Sequence, residues 1–461
     1  MKVLLANPEP TAWTSRKHLP LGLGYLAAVL EQAGHTVVIY DAAVEVEPLD
    51  AVLAQGFDLV GVSAVTPLIY EAWQAAAQAK AHGYTTILGG PHLTIMPDES
   101  LAQPEVDLVA RGEAEDTILE VMDYLAGQRD MADIQGLSYK RADGAIVHNP
   151  LRPLRKDLDS LPFPAHHLFK IDRYTNLQPI TDGLDPHARA FTIITSRGCP
   201  HQCIYCSKAV TGNTWRPRSP ENVVAEWRWL VRDLHATEIG ITDDVMTLNV
   251  DRAKEICRRL IAEGLNTVPW ITVHGIRVDN ADAELFRLMK QAGCKRVGFG
   301  VESGNQRVLD YMKKKQTIDE VRQAFTWAKE AGLQTMGFFI FGLPTETEET
   351  MEDTIRLALE LDPDLGNFMM AAPFPGTELY DIVQREGRLL DAGWADAAIH
   401  DECAHFEIGD LTAELVERKW HEAYRRFYLR PSRIWRKATN LDTWRRLPQY
   451  VSEARRFFLG R

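Results

Sequence analysis

Short runs of apolar and β-branched residues alternate with longer amphipathic stretches from the first residues onward. KVLLAN (2–7), HTVVIYDA (35–42), LVGVSAV (59–65), TTILGG (85–90) and VDLVARG (106–112) are almost continuously hydrophobic. That is the pattern of strands buried on both faces of a parallel sheet. Between them, GYLAAVLEQAG (24–34) and LIYEAWQAAAQAKAHG (68–83) repeat apolar residues at helical spacing and end on glycine. Residues 1–135 therefore predict a doubly wound α/β domain with a five-stranded parallel sheet. Its ligand belongs beyond the carboxyl ends of the strands.

Over 136–190 the alternation lapses. Asp143-Gly144 signals a hairpin and many prolines follow, which predicts a hairpin and a linker. From 191 the alternation resumes with FTIITS, EIGITDD, PWITVHG, RVGFGVES, TMGFFIFG and NFMMAAP as strands. Helical stretches such as ENVVAEWRWLVRDL and TIDEVRQAFTWAKEAG lie between them. Six βα units over 191–390 predict a partial (β/α)6 barrel, with function on the loops that follow the strands. Residues 391–461 read as a helical region.

Composition narrows this picture only modestly. Hydrophobic residues make up 45% and charged residues 25% of 461 positions, as in a soluble globular protein. No apolar run approaches the roughly 18–20 residues that a membrane span needs. Six cysteines are too few for a disulfide scaffold and suit a reducing compartment, so a cytoplasmic location is expected.

Charge is uneven. Residues 417–461 hold thirteen Lys/Arg against four Asp/Glu, so a tail of +9 is set against a body of −22. Such a tail suits an anionic membrane, a nucleic acid or the acidic body itself. Within it LPQYVSEARRFFLGR places Leu447, Tyr450, Val451, Ala454, Phe457 and Phe458 at helical spacing beside arginines. An interfacial helix needs this pattern, and so does a helix packed on the barrel. Membrane-surface contact through this tail would make the protein peripheral, and no nucleic-acid partner is expected.

The chemistry is concentrated in SRGCPHQCIYCSK (196–208). Cys199, Cys203 and Cys206 are spaced C-x3-C-x2-C directly after the first barrel strand. A closed zinc site wants four ligands. No other cysteine is near enough to complete one, and His201 inside the loop is poorly placed to converge with its neighbours. Three thiolates can instead hold three irons of a [4Fe–4S] cluster, leaving the fourth iron open.

On this spacing, on Tyr205 just before the last cysteine, and on the six-unit barrel, residues 191–390 resemble the radical S-adenosylmethionine (SAM) superfamily. The resemblance implies that Cys199, Cys203 and Cys206 hold the cluster while SAM chelates the open iron through its amino and carboxylate groups. An electron from an external donor of flavodoxin or ferredoxin type then cleaves SAM to a 5′-deoxyadenosyl radical. It also implies SAM contacts at the strand ends. Tyr205 lies in the cysteine loop. Asp243 or Asp244, where the family commonly has a Gly-Gly-Glu-like stretch, would receive the methionine ammonium. Arg277 offers a fork for a carboxylate. Glu302, beside Ser303, suits the ribose hydroxyls, and Gly342 and Pro344 let the backbone approach the adenine.

Three readings compete for the N-terminal domain. GLGYLA (22–27) with Asp41 mimics a dinucleotide fingerprint, but that motif must follow the first strand at once, and the strand ends near Asn7. A receiver domain needs acidic residues at that strand end, where only Glu9 is available. The third reading is cobalamin. PLGLGYLAAVLEQAGHTVVIYDA, LVGVSAVTP, GGPHLT and DLVARGEAEDTI resemble the cobalamin-binding domain fused ahead of many radical SAM enzymes. That resemblance implies cofactor contacts at Pro8, Leu21, Gly22, Gly24, Ser63, Val65, Thr66, Gly89, Gly90, His92, Gly112 and Glu113. Ser63 and Thr66 would bond the nucleotide tail. The cobalt-ligating D-x-H-x-x-G is absent, and DPHARA (185–190) lacks its final glycine and falls in the linker, so cobalt would have no protein imidazole below it. The first cysteine is Cys199, which argues against methylthiotransferases, whose N-terminal domain carries a second cluster.

The fused architecture implies that a small-molecule substrate is methylated at an unactivated carbon through methylcobalamin. A second reading keeps both cofactors but transfers no methyl group. It is an oxidative cyclisation or rearrangement of a large apolar substrate, as in the anaerobic magnesium-protoporphyrin ester cyclase and hopanoid-modifying branch. A sensor role makes poor use of residues suited to cleaving SAM.

Overall fold

The strongly apolar runs do pair in parallel. In a computed structural model describing residues 1–9, 19–174, 189–390, 393–394 and 403–438, the first sheet contains β1 (Lys2–Asn7), β2 (Thr36–Asp41), β3 (Leu59–Ser63), β4 (Thr85–Gly89) and β5 (Leu108–Ala110). Their order is β2-β1-β3-β4-β5, so the chain reverses its direction of winding between β1 and β3. A crevice opens at the carboxyl ends of strands at such a point. Val3, Leu4 and Leu5 are buried on both faces of the sheet, which is why the strand shows no polar alternation.

The hairpin read at Asp143-Gly144 joins this sheet instead of standing with the linker. β6 (Leu137–Lys140) pairs antiparallel with β5, and β7 (Ile146–His148) with β6, giving seven strands. Without it β5 would offer a bare edge to solvent. At the turn Gly144 takes φ +84°, and the Ala145 amide donates to Asp143 Oδ1 at 3.0 Å.

All six predicted barrel strands form. β8 (Ala190–Ile193), β11 (Glu238–Ile241), β12 (Trp270–Thr272), β13 (Cys294–Glu302), β14 (Gln334–Phe341) and β15 (Leu365–Met370) make one open parallel sheet in that spatial order. A two-residue hairpin, β9 (Ser196–Arg197) with β10 (Arg216–Pro217), interrupts the chain between β8 and β11. Local signals set the helix starts. Thr317 and Glu320 form a reciprocal capping box before the helix Ile318–Glu330, and Ser219 caps Pro220–Arg232.

The proline-rich segment packs tightly. Leu158, Leu161, Phe169 and Tyr174 are buried in one apolar core with Leu23 and Ala27 of the first helix and Phe191 and Trp227 of the barrel. Phe163 stacks on Trp229, and the Tyr174 hydroxyl donates to Asp41 Oδ2 at 2.6 Å. Asp41, the acidic residue of the dinucleotide mimic, is thus used to dock this segment. Its companions Gly22 and Gly24 lie inside the helix Leu21–Gln32, where no phosphate loop exists.

The helix Ala413–Tyr428 covers the outer face of β15, with Trp420 Nε1 donating to the Phe368 carbonyl at 2.8 Å. Residues 439–461, on which the interfacial-helix expectation rests, lie outside the described residues. Among the described residues no helix is long and apolar enough to cross a membrane.

Candidate active site

The cysteine loop is built on the stem β9–β10. Gly198 has φ +82°, and a Cβ there would lie 2.2 Å from the Thr214 carbonyl oxygen, so the loop can close only on glycine. Cys199 and Cys203 are half-buried and Cys206 is exposed; Cys257 and Cys294 are buried among apolar groups. Burial raises the Cys199 thiol above its ordinary value, opposed by a backbone hydrogen bond from His201 and by the charge of Lys208. Metal ligation would therefore supply the driving force for making the thiolate. Among the described residues no three His, Cys, Asp or Glu side chains converge where one ion could sit.

The two neighbouring aspartates separate in role. Asp243 is buried and accepts from Thr195 N, Thr195 Oγ1 and Ser196 Oγ, each at 2.6 Å, so it latches β8 to the stem and has no access to a ligand. Asp244 is exposed at the mouth. Its Oδ2 accepts from Gly198 N and Thr211 Oγ1, both at 2.8 Å, leaving Oδ1 directed away from these bonds.

Tyr205 and Glu302, expected separately as SAM contacts, meet around a residue that sequence reasoning missed, Lys314. Glu302 Oε1 accepts from Lys314 Nζ at 2.6 Å and from the Tyr205 hydroxyl at 3.0 Å. Burial and the Glu302 charge keep that hydroxyl protonated, its pKa well above the ordinary value. Lys314 turns inward because both flanking lysines adopt left-handed backbone, Lys313 at φ +57° and Lys315 at φ +53°. The carbonyls of Lys314 and Lys315 accept from Arg277 Nη2.

Arg277 is therefore occupied. It also forks onto Asp279 with two bonds of 2.9 Å, so it secures the lysine turn where a ligand carboxylate was expected. Ser303 is likewise turned away from the mouth, its hydroxyl 3.2 Å from Thr354 Oγ1. Gly342 faces Val416 of the C-terminal helix, and its N–H donates to Glu346 Oε2 at 2.7 Å, while Pro344 is half-buried beside it. Glu346 is a second residue that the sequence did not single out.

On the N-terminal domain, the expected cofactor residues lie mostly along the carboxyl edge of the sheet. Pro8 follows β1, Ser63 and Gly89 end β3 and β4, and Val65 is 37% exposed at the rim. Added side chains at Gly22 and Gly112 would meet nothing within 4 Å, so both border open space. Leu21 is buried at the start of the first helix. Gly90, at φ +115°, lets the β4 loop pass the Ala64 carbonyl, where a Cβ would come within 2.5 Å. Thr66 Oγ1 lies 3.3 Å from Nδ1 of His92, and burial lowers that imidazole to about 4, so it is neutral near pH 7.

Two members of this group are placed elsewhere. Gly24 packs against Pro164 and Phe169, which leaves no space for a cofactor. The Glu113 carboxylate is taken up by Arg197 and Arg216 of the stem.

Two family models match the chain, the radical SAM superfamily over residues 193–358 and the B12 binding domain over residues 14–122. The uncharacterized methyltransferase PH0819 of Pyrococcus horikoshii is 35% identical over 94% of this chain and 93% of its own length. The chain belongs to the cobalamin-binding radical SAM family. It is also 31% identical to the anaerobic magnesium-protoporphyrin IX monomethyl ester cyclase of Rubrivivax gelatinosus, over 84% of this chain and 68% of that one. Among solved folds it is similar to the radical SAM methyltransferase TsrM of Kitasatospora setae, described with cobalamin and a [4Fe–4S] cluster bound. That likeness has TM-score 0.73 at 19% identity and covers 94% of this chain and 89% of the other. As a family member the protein is a methyltransferase-like radical SAM enzyme whose cofactors are a [4Fe–4S] cluster, SAM and cobalamin.

Proposed function

We propose that this enzyme methylates an unactivated carbon of a small-molecule substrate lying between the mouth of the partial barrel and the carboxyl edge of the N-terminal sheet. The observation carrying this reading is that Glu113, at the carboxyl edge of the first sheet, bonds both strands of the cysteine-loop stem. This contact supports placing the two cofactor regions on one shared space.

When bound, the cluster supplies the electron that cleaves SAM, and cobalamin carries the methyl group. The protein's residues hold and orient. Cys199, Cys203 and Cys206 anchor the cluster. Asp244, exposed and with only Oδ2 engaged by Gly198 and Thr211, receives the methionine ammonium, while Asp243 fixes the loop that presents it. Glu302 offers Oε2 to the ribose, since Lys314 and Tyr205 both engage Oε1. Pro8, Leu21, Gly22, Ser63, Val65, Thr66, Gly89, Gly90, His92 and Gly112 shape the cobalamin rim. An external flavodoxin- or ferredoxin-type protein delivers the electron in the cytoplasm, and the basic tail supplies any membrane-surface contact.

Anaerobic reconstitution with iron, sulfide, cobalamin, SAM and a reductant tests the reading. Expected products are 5′-deoxyadenosine and S-adenosylhomocysteine together. Absence of 5′-deoxyadenosine under every condition overturns it, and 5′-deoxyadenosine without S-adenosylhomocysteine points to the non-methylating cyclisation. Bulky replacements at Ser63 and Gly90 should abolish cobalamin retention; full retention would overturn the rim assignment.

A further inference from the structure

The loop after β5 reaches across the domain boundary and grips the cysteine loop by its stem. Glu113 Oε1 accepts from Arg197 Nη1 at 3.0 Å and from Arg216 Nη2 at 2.9 Å. Its Oε2 accepts from Arg216 Nη1 at 2.7 Å and from the Arg155 amide at 3.2 Å. Glu115 Oε1 takes the second Arg197 nitrogen at 2.6 Å, and the Arg197 guanidinium lies 5.1 Å from the centre of the Tyr25 ring. Arg216 also donates to the carbonyls of Arg155 and Thr211, each at 2.8 Å. The four charged side chains are 4–9% exposed, and two carboxylates balance two guanidinium groups.

Position gives this cluster its meaning. Arg197 and Arg216 are partners across the β9–β10 hairpin, so they are the two feet of the loop that carries all three cysteines. One carboxylate of the cobalamin domain holds both feet, and Gly112 on the open rim immediately precedes it. The linker already joins the two domains in one apolar core, but apolar packing is non-directional. A guanidinium fork on a carboxylate fixes both distance and angle. Burying charge contributes little net stability over an apolar contact, but removing one partner strands the others. The cluster thus makes one relative placement of the domains much better than its neighbours.

We propose that Glu113 is a positioning residue whose grip on Arg197 and Arg216 sets the separation between the iron–sulfur cluster and cobalamin. This rests on the two-cofactor reading above. In reduced holoenzyme the [4Fe–4S] cluster and cob(II)alamin are both paramagnetic, so pulsed EPR reads their separation directly. Glu113→Gln is expected to keep its iron and cobalamin content while the distance distribution broadens and shifts to larger values. Arg216→Lys keeps the charge but loses the fork, and should shift it in the same direction by less. Glu263→Gln, which breaks a half-buried fork with Arg228 elsewhere on the barrel, should match wild type. Wild-type separations in both Glu113→Gln and Arg216→Lys overturn the proposal.

If Glu113→Gln holds no cofactor, small-angle scattering of the cofactor-free chain takes over. A larger radius of gyration with unchanged helical content supports the grip, and an unchanged radius overturns it. A wild-type chain that binds no cobalamin overturns the two-cofactor reading separately, because the scattering comparison needs no cofactor.

Discussion

Lys314 places its ammonium 2.6 Å from Glu302 Oε1, with both side chains buried at the barrel mouth and the Tyr205 hydroxyl on the same oxygen. A Cβ on Gly300 would fall 2.5 Å from Glu302 Oε1 and 2.7 Å from Lys314 Nζ, so the strand is kept bare to admit the pair. The pair ties the cysteine loop to the end of β13 through Tyr205. Lys314→Met is expected to cost about 3–5 kcal/mol because it leaves a buried carboxylate unpaired. Much of this should return in Lys314→Met with Glu302→Gln, which removes both charges. Urea unfolding of the cofactor-free chain measures the stability, and iron per chain after reconstitution measures the effect on the loop.

Gly198→Ala tests the loop closure independently of charge. The added methyl would need the Thr214 carbonyl, on backbone, to move from 2.2 Å to an ordinary contact, and alanine disfavours the positive φ. Cluster content after reconstitution is expected to fall severely, with the far-ultraviolet circular dichroism of the remaining fold unchanged. A variant that assembles a full cluster would show that the stem geometry does not constrain the cysteines.

These residues mark where the sequence stops being readable. Strands such as KVLLAN are legible because burial on both faces leaves no polar position, and Thr317 with Glu320 announces a helix start locally. The hairpin at Asp143-Gly144 was legible as a hairpin, but its attachment to β5 depends on an edge formed by distant residues. Nothing in MKKKQT itself marks out the middle lysine; the left-handed backbone at Lys313 and Lys315 turns it inward. Asp243 and Asp244 are chemically identical neighbours, and which one is consumed depends on Thr195 and Ser196, 47–48 residues away in sequence. Glu113 was read as a cofactor contact because its partners, Arg197 and Arg216, lie on another domain.

His166 sets an acid-side limit on stability. It is enclosed by Phe169, Phe191 and Trp229, its ring nitrogens have no hydrogen-bond partner among the described residues, and burial lowers its pKa to about 3. The unfolded chain takes up a proton there below about pH 6.5, whereas the folded chain resists until about pH 3. Stability from this group is therefore present above pH 6.5 and falls progressively as the pH drops toward 3. His166→Leu should flatten that slope between pH 6.5 and 4, read as urea midpoints against pH. An unchanged slope would place the acid sensitivity in other groups.

Glu346 works in the opposite direction. Its Oε2 accepts from the amides of Gly342 and Leu343 at 2.7 and 3.0 Å, Oε1 has no partner among the described residues, and burial pushes its pKa up to about 8. The folded state therefore favours the protonated carboxyl, while the unfolded chain loses that proton near pH 4.5. Stability from this group is full below pH 4.5 and is lost as the pH rises through about 8. Glu346→Gln keeps a carbonyl oxygen for the two amides and cannot ionise. It is expected to flatten the decline between pH 6 and 9 and to be at least as stable as wild type at pH 8.5. Because the same amides shape the turn after β14, Glu346→Leu, which offers no acceptor, should destabilise at every pH. Thermal melts across this range separate the two variants: parallel pH profiles for wild type and Glu346→Gln would show that the carboxyl is already ionised in the folded protein.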